Sequence, residues 1–334
     1  MSSTSGVINR DYHEILKVYP DDRVKPQWTA LPTRVMDLLD PSLISRVSSK
    51  IVVNEKLVAS TDSNGNQIEY WEIDNVYPFG ALIFLTSGGL PSRGDCSTPH
   101  TTFADKGYIY TPYDWQNVEG TLFFKVLSYK DPDARITLKT RTGFHPRNQI
   151  CCQGASYGCN LYLSSGNVEL FKESYHHNIH NIDQKPQSRV SSFVNQWVGV
   201  KFLVYNQRRG GKTQVKIELR LCPTDMTDDI KINWREVLRK IDFPGSGWGK
   251  GAKKCGALFN DSPITWGGPR SMFIFQGIDK VIFKWPSWRE VDPSINWGGG
   301  GAAPRHIPKV TSVPPGYHFD KVTGQVVIND DEVV

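Results

Sequence analysis

Three of the eight histidines of this 334-residue chain fall between positions 176 and 180, inside the run Lys172-Glu173-Ser174-Tyr175-His176-His177-Asn178-Ile179-His180. Imidazoles titrate near neutral pH, so the run concentrates groups able to move protons, ligate a metal or bond sugar hydroxyls. If it continues the strand-like segment before it, the two-residue period puts Lys172, Ser174, His176, Asn178 and His180 on one face. Glu173, Tyr175 and His177 then lie on the other. The first face is almost wholly polar, as a saccharide groove or a metal site requires. A merely exposed strand face or hairpin end gives the same pattern.

A second chemical signal is tryptophan among glycines. Aromatic faces stack on sugar rings while amides and carboxylates bond the hydroxyls. Trp248 lies in Gly245-Ser246-Gly247-Trp248-Gly249-Lys250-Gly251, and Trp266 in Thr265-Trp266-Gly267-Gly268-Pro269. Any one tryptophan of a β protein is more often core than platform, but the glycines around Trp248 offer it few neighbours, so it is the expected exposed platform.

The elements that must position these groups are strands. Runs rich in β-branched and aromatic residues, separated by turn signals, occupy 51–59, 67–74, 80–86, 119–129, 134–141, 158–163, 167–175, 196–206, 213–221, 235–243, 271–276 and 279–290. That count suits an antiparallel sandwich or barrel. Gln214 to Leu221 alternates with one wet face, whereas Trp197 to Tyr205 is continuously apolar, as in a central strand covered on both sides. Hairpins at Asn206 to Thr213 and at Ser164 to Asn167 make the order antiparallel.

Outside this region lie a lead-in, residues 1–50, with one helical patch (Val35, Leu38, Leu39, Leu43, Ile44), and a Gly/Pro-rich linker, 294–315. The end, 316–334, reads as a small hairpin arm turning at Thr323-Gly324. The sandwich itself is expected over 51–293. The arm is too short for a core of its own and is expected to dock on the body or on a neighbouring subunit, which makes a homo-oligomer through terminal arms a candidate assembly.

Composition sets the remaining bounds. Lys and Arg number 39 against 34 Asp and Glu, scattered rather than striped, so no nucleic-acid partner is expected. No stretch has the apolar length of a membrane span, and the N-terminus lacks the apolar core of a classical secretory signal. The location is left open, with the cell exterior or a virion surface favoured. The cysteines stand at 96, 151, 152, 159, 222 and 255. Their spacing fits no zinc pattern, and no metal ligand or cofactor is assigned. In an oxidising setting Cys151 or Cys152 is expected to pair with Cys159.

Two motifs carry a family resemblance. Gln196-Trp197-Val198-Gly199-Val200-Lys201 opens a hairpin strand, and Phe283-Lys284-Trp285-Pro286-Ser287-Trp288-Arg289-Glu290 closes the sandwich. In these motifs, over about residues 60 to 292, the chain resembles the concanavalin A-like lectin/glucanase superfamily, an all-β, two-sheet jelly roll. The resemblance implies a concave sheet that binds glycan, and it spans lectins, glucanases and polysaccharide lyases. The glucanase motif E-x-D-x-x-E begins at Glu72 and Asp74 and fails at Tyr77. For a lyase, β-elimination from a uronate requires a cation to neutralise the carboxylate, a base and an acid. Arg141, His145, Arg147, Lys172, Tyr175 and His176 supply each type, although the alginate-lyase motifs are absent. The expected catalytic set is His176, Tyr175, Arg141 and His145, and the expected glycan-binding set is Lys172, Glu173, His180, Arg147 and Trp248. The favoured reading is polysaccharide recognition; the alternatives are a lyase and a self-assembling or virion-surface protein.

Overall fold

A computed structural model describes residues 15, 17–22, 27–29, 54–61, 67–74, 79–86, 101–143, 154–175, 178–181, 185–186, 193–224, 234–256, 259–294, 317–320 and 325–328. The strands are β1 Gln27–Thr29, β2 Asn54–Thr61, β3 Gln67–Asp74, β4 Phe79–Leu85, β5 Val118–Tyr129, β6 Arg135–Thr142, β7 Ser156–Tyr162, β8 Asn167–Tyr175, β9 Asn178–Asn181 and β10 Lys185–Pro186. They continue with β11 Trp197–Arg209, β12 Lys212–Thr224, β13 Arg235–Asp242, β14 Arg270–Gln276, β15 Ile278–Glu290, β16 Tyr317–Asp320 and β17 Gln325–Ile328. Among the described residues one short α-helix, α1, spans Thr101–Lys106, and a 3-10 turn spans Ala252–Cys255. Each strand-like run of the sequence overlaps one of these strands.

Two antiparallel sheets form an all-β sandwich. The larger runs β13-β12-β11-β5-β15-β3-β2, with β1 also on β15; the smaller runs β10-β8-β7-β6-β14-β4, with β9 also on β8. The core between them takes Leu122, Phe124, Val200, Phe202 and Ile217 from the larger sheet and Ile136, Leu138, Leu161, Leu170 and Phe273 from the smaller. Alternation explains this choice. On β12, Val215, Ile217 and Leu219 are fully buried inward, while Lys216 and Arg220 ion-pair with Glu218 on the other face. Burying side chains of this size contributes roughly 1.5–3 kcal/mol each.

β11 is continuously apolar because its outer face is also covered. A segment of the lead-in, residues 15–22, crosses the larger sheet there. Tyr19 meets Tyr205 edge-on, ring centroids 5.0 Å apart, with their hydroxyls at 2.7 Å. The Val18 amide donates to Glu119, and Asp21 pairs with Arg289. The lead-in also supplies β1, registered Trp28 to Trp288 on β15. Its proposed helical patch lies outside the described residues. β16 and β17 pair in a separate two-stranded sheet, Tyr317 to Ile328 and Asp320 to Gln325.

The cysteine expectation is corrected. Cys159 and Cys222 form no disulfide and are buried, because both occupy strand positions inside the fold, and burial pushes the Cys159 thiol well above its ordinary range. Cys255 is disulfide-bonded, to a residue outside the described set. Native alkylation followed by mass spectrometry should leave Cys159 and Cys222 unlabelled until denaturant is added. Rapid native labelling of either thiol would show that its strand is not seated as described.

Candidate functional site

The histidine run does not form one strand. β8 ends at Tyr175 and β9 returns beside it from Asn178, so His180 stands opposite Lys172 across a hairpin. His145, Arg147, His176 and His177 lie outside the described residues. The two faces of β8 do separate Lys172 from Glu173, but the face bearing Lys172 looks into the sandwich.

There Lys172 is 1% exposed. Its ammonium donates to Asp242 Oδ2 at 2.8 Å and to the carbonyls of Trp248 and Ser262 at 3.0 and 2.5 Å. Asp242 also accepts from the Tyr157 hydroxyl at 2.5 Å and from Ser246 at 2.9 Å. Burial, reinforced by the Asp242 charge, raises the Tyr157 phenol well above its ordinary range, so it stays a donor. Arg141 joins this interior cluster by a backbone irregularity: the β6–β14 register shifts between Arg270 and Met272, and Arg141 takes φ +54°. Its guanidinium then faces inward, donating to the Gln116 carbonyl at 2.7 Å, Asn206 Oδ1 at 2.9 Å and the Ile264 carbonyl.

These contacts clamp the 243–268 loop over one end of the sandwich. They also correct two expectations. Arg141 and Lys172 are structural cations with no open face toward a ligand, and Trp248 is no exposed platform: it is 5% exposed with its ring centroid 5.6 Å from that of Tyr157. The glycines that suggested exposure do the opposite. Gly249, at φ +98°, lets the loop press onto the sheet, where a Cβ would lie 2.8 Å from Ser174 Oγ. Tyr175 is likewise buried, at the end of β8.

Glu173 belongs to a different constellation, on the outer face of the smaller sheet. The registers Ser156 to Glu173, Asn160 to Glu169, Thr137 to Asn160 and Arg135 to Tyr162 align a belt across β6, β7 and β8. At one end Glu173 ion-pairs with Lys139 and accepts from Ser156 at 3.2 Å. In the middle the Phe171 ring lies over Gly158, where a Cβ would come within 2.1 Å of the ring; only glycine admits it. At the other end Glu169 Oε1 accepts from Asn160 at 2.5 Å and Tyr162 at 2.6 Å. Thr137 donates to Asn160 Oδ1 at 2.5 Å, and Arg135 stands 5.8 Å from the Tyr162 ring centroid.

Glu169 is fully buried, and its Oε2 has no hydrogen-bond partner. Such an oxygen is costly unless a donor reaches it. Burial and the bond to Glu169 push the Tyr162 hydroxyl up to about 12, which keeps it protonated and donating at neutral pH. The belt closes toward Glu173 and is half-exposed at Tyr162 and Arg135. Among the described residues no group of three or more His, Cys, Asp or Glu side chains is arranged to hold a metal ion, and no helix is long and apolar enough to cross a membrane.

Of this belt the sequence reading named Glu173 and not Thr137, Lys139, Ser156, Asn160, Tyr162 or Glu169. The alternation Arg135, Thr137, Lys139 was legible as one polar face of β6. Its alignment with Asn160 and Glu169 required the pairing order of the strands.

No protein-family profile matches the chain, and no curated protein matches it. Among solved structures the chain is similar to the carbohydrate-binding module CBM66 from Bacillus subtilis, at 11% identity and a TM-score of 0.31, over 71% of this chain and 96% of that one.

Proposed function

We propose that the protein binds a saccharide on the outer face of β6–β8, and that the ligand is neutral. The observation that carries this reading is the belt itself. It aligns hydroxyl, amide and carboxylate groups beside an aromatic ring, and leaves the buried Glu169 Oε2 as an acceptor without a donor. Sugar hydroxyls are donors of the required kind. Lys139 is matched by Glu173, Arg135 lies over the Tyr162 ring, and the belt's two carboxylates equal its two cations in number, so it carries no excess positive charge for a uronate or sulfate.

Turnover is not favoured by the same geometry. Arg141 and Lys172, the cations expected to neutralise a uronate in β-elimination, are committed inside the fold. A hydrolase pair fares no better: Glu169 and Glu173 are four residues apart on one strand, roughly 13 Å at about 3.3 Å per residue, beyond the roughly 5–9.5 Å that glycosidase carboxylates span. Glu72 and Asp74, which begin the glucanase motif, both pair with Lys280 at 3.0 and 3.3 Å.

The test is a panel of neutral and acidic polysaccharides scored for binding and for the ultraviolet absorbance of an unsaturated product. Binding of a neutral polymer without absorbance is expected. Absorbance with an acidic polymer would establish a lyase, and retention of no polymer at all would remove the saccharide reading.

A further inference from the structure

The outer face of the larger sheet carries a cation of the opposite character to those of the belt. Lys284, on β15, is 3% exposed, and its ammonium contacts indoles. It lies 4.9 Å from the Trp197 ring centroid and 4.2 Å from that of Trp285. Among the described residues no carboxylate pairs with it. The charged neighbours are otherwise engaged. Lys201, 4.9 Å from the Trp234 ring centroid, and Arg289 share Glu119. Glu72 and Asp74 hold Lys280. Lys125 stands two residues further along β5, opposite Ile282, and adds to the positive field.

The surroundings are built rather than incidental. Lys284 sits opposite Phe123, whose ring meets Trp285 at 5.2 Å and Trp234 at 5.6 Å, while Tyr70 meets Trp197 at 6.3 Å. Trp285 occupies a register shift in β15 and takes φ +54°, a strained conformation that turns its indole beside the ammonium. Ile15 of the lead-in packs into the same aromatic cluster, yet Trp197, Trp234, Trp285 and Tyr70 all stay half-exposed. Ring faces offset part of the cost of a desolvated ammonium, and an anion would offset the rest.

We infer that this face is a second binding site, distinct from the belt, for a saccharide ring bearing a carboxylate or sulfate, whose anion pairs with Lys284 between Trp197 and Trp285. The ring stacks on the indoles and the anion supplies the missing counter-charge. Burial draws the free Lys284 ammonium down to about 8, so anion binding above that pH is coupled to proton uptake. Affinity should hold steady below about pH 8 and fall up to about tenfold per pH unit above it.

The experiment is calorimetric titration of the full chain with a galacturonate trisaccharide, a sulfated galactose and a neutral galactose trisaccharide. The carboxylated or the sulfated probe, or both, should bind at least about tenfold more tightly than the neutral one at this face, and which of them does so identifies the anion. Lys284→Met should remove that preference while the protein remains folded, and Glu169→Gln, on the belt, should leave it intact. Equal binding of all probes, or anion binding by Lys284→Met at the unmodified strength, overturns the site. If Lys284→Met does not fold, the wild-type pH profile decides: an anion affinity unchanged from pH 7 to 10 contradicts the assignment.

Discussion

Lys172→Met should destabilise the protein by about 3–5 kcal/mol, the usual cost of removing one partner from a buried ion pair. The side chain volume is nearly kept, so the loss comes from what remains. Asp242, fully buried, loses the ammonium it pairs with, and the carbonyls of Trp248 and Ser262 lose their donor. A second substitution separates charge from packing. Asp242→Asn in the Lys172→Met background removes the stranded carboxylate and should recover part of the stability, measured as a midpoint shift in denaturant at constant slope. Loss of less than about 1 kcal/mol in the single variant would mean that the loop clamp is not formed as described.

The second large effect is on the lead-in strap. Glu119 is fully buried and receives Lys201 at 2.5 Å and Arg289 at 2.6 Å. Burial by itself would raise its pKa, but the two cations outweigh burial and hold it at about 2 against an ordinary 4.5. A depressed carboxyl contributes stability that is complete above the unfolded pKa and disappears as pH falls through the folded one. The window is therefore about pH 4.5 down to 2, and the full contribution is about 3 kcal/mol at about 1.4 kcal/mol per unit. Glu119→Gln should cost about 3–5 kcal/mol at pH 7 and flatten that part of the acid limb. An acid limb of unchanged steepness in the variant would show that Glu119 does not carry it.

The strands were legible because alternation needs no partner to be read. Val215, Ile217 and Leu219 declare an inward face from their own spacing, and so does the covered strand at Trp197 to Tyr205. The site was legible only in fragments. Lys172 and Arg141 looked like groove cations because polar residues on strands ordinarily face water. Their partners lie far along the chain: Asp242 is 70 residues from Lys172, and Ile264 is 123 from Arg141. The reversal from β8 to β9 was invisible for a related reason, since a hairpin end and a continuing strand can have the same composition. Trp248 misled through its glycines, which mark where a chain approaches closely as well as where it is open. The sequence motifs at Trp197 and Lys284, by contrast, were read only as fold markers, and in the folded chain these two residues meet.

The most direct measurement of the central claim is calorimetric binding of the neutral polysaccharide retained in the panel to Glu169→Gln and Tyr162→Phe, each paired with its melting temperature. Both changes keep the side chain's shape. Glu169→Gln replaces the carboxylate that bears the unpartnered acceptor, and Tyr162→Phe removes the half-exposed donor beside it. The account predicts at least about tenfold weaker binding in Glu169→Gln and a smaller loss in Tyr162→Phe, both folded, with binding enthalpy reduced in step; about 1.4 kcal/mol corresponds to tenfold. Binding of that polymer at wild-type strength by both folded variants would contradict it.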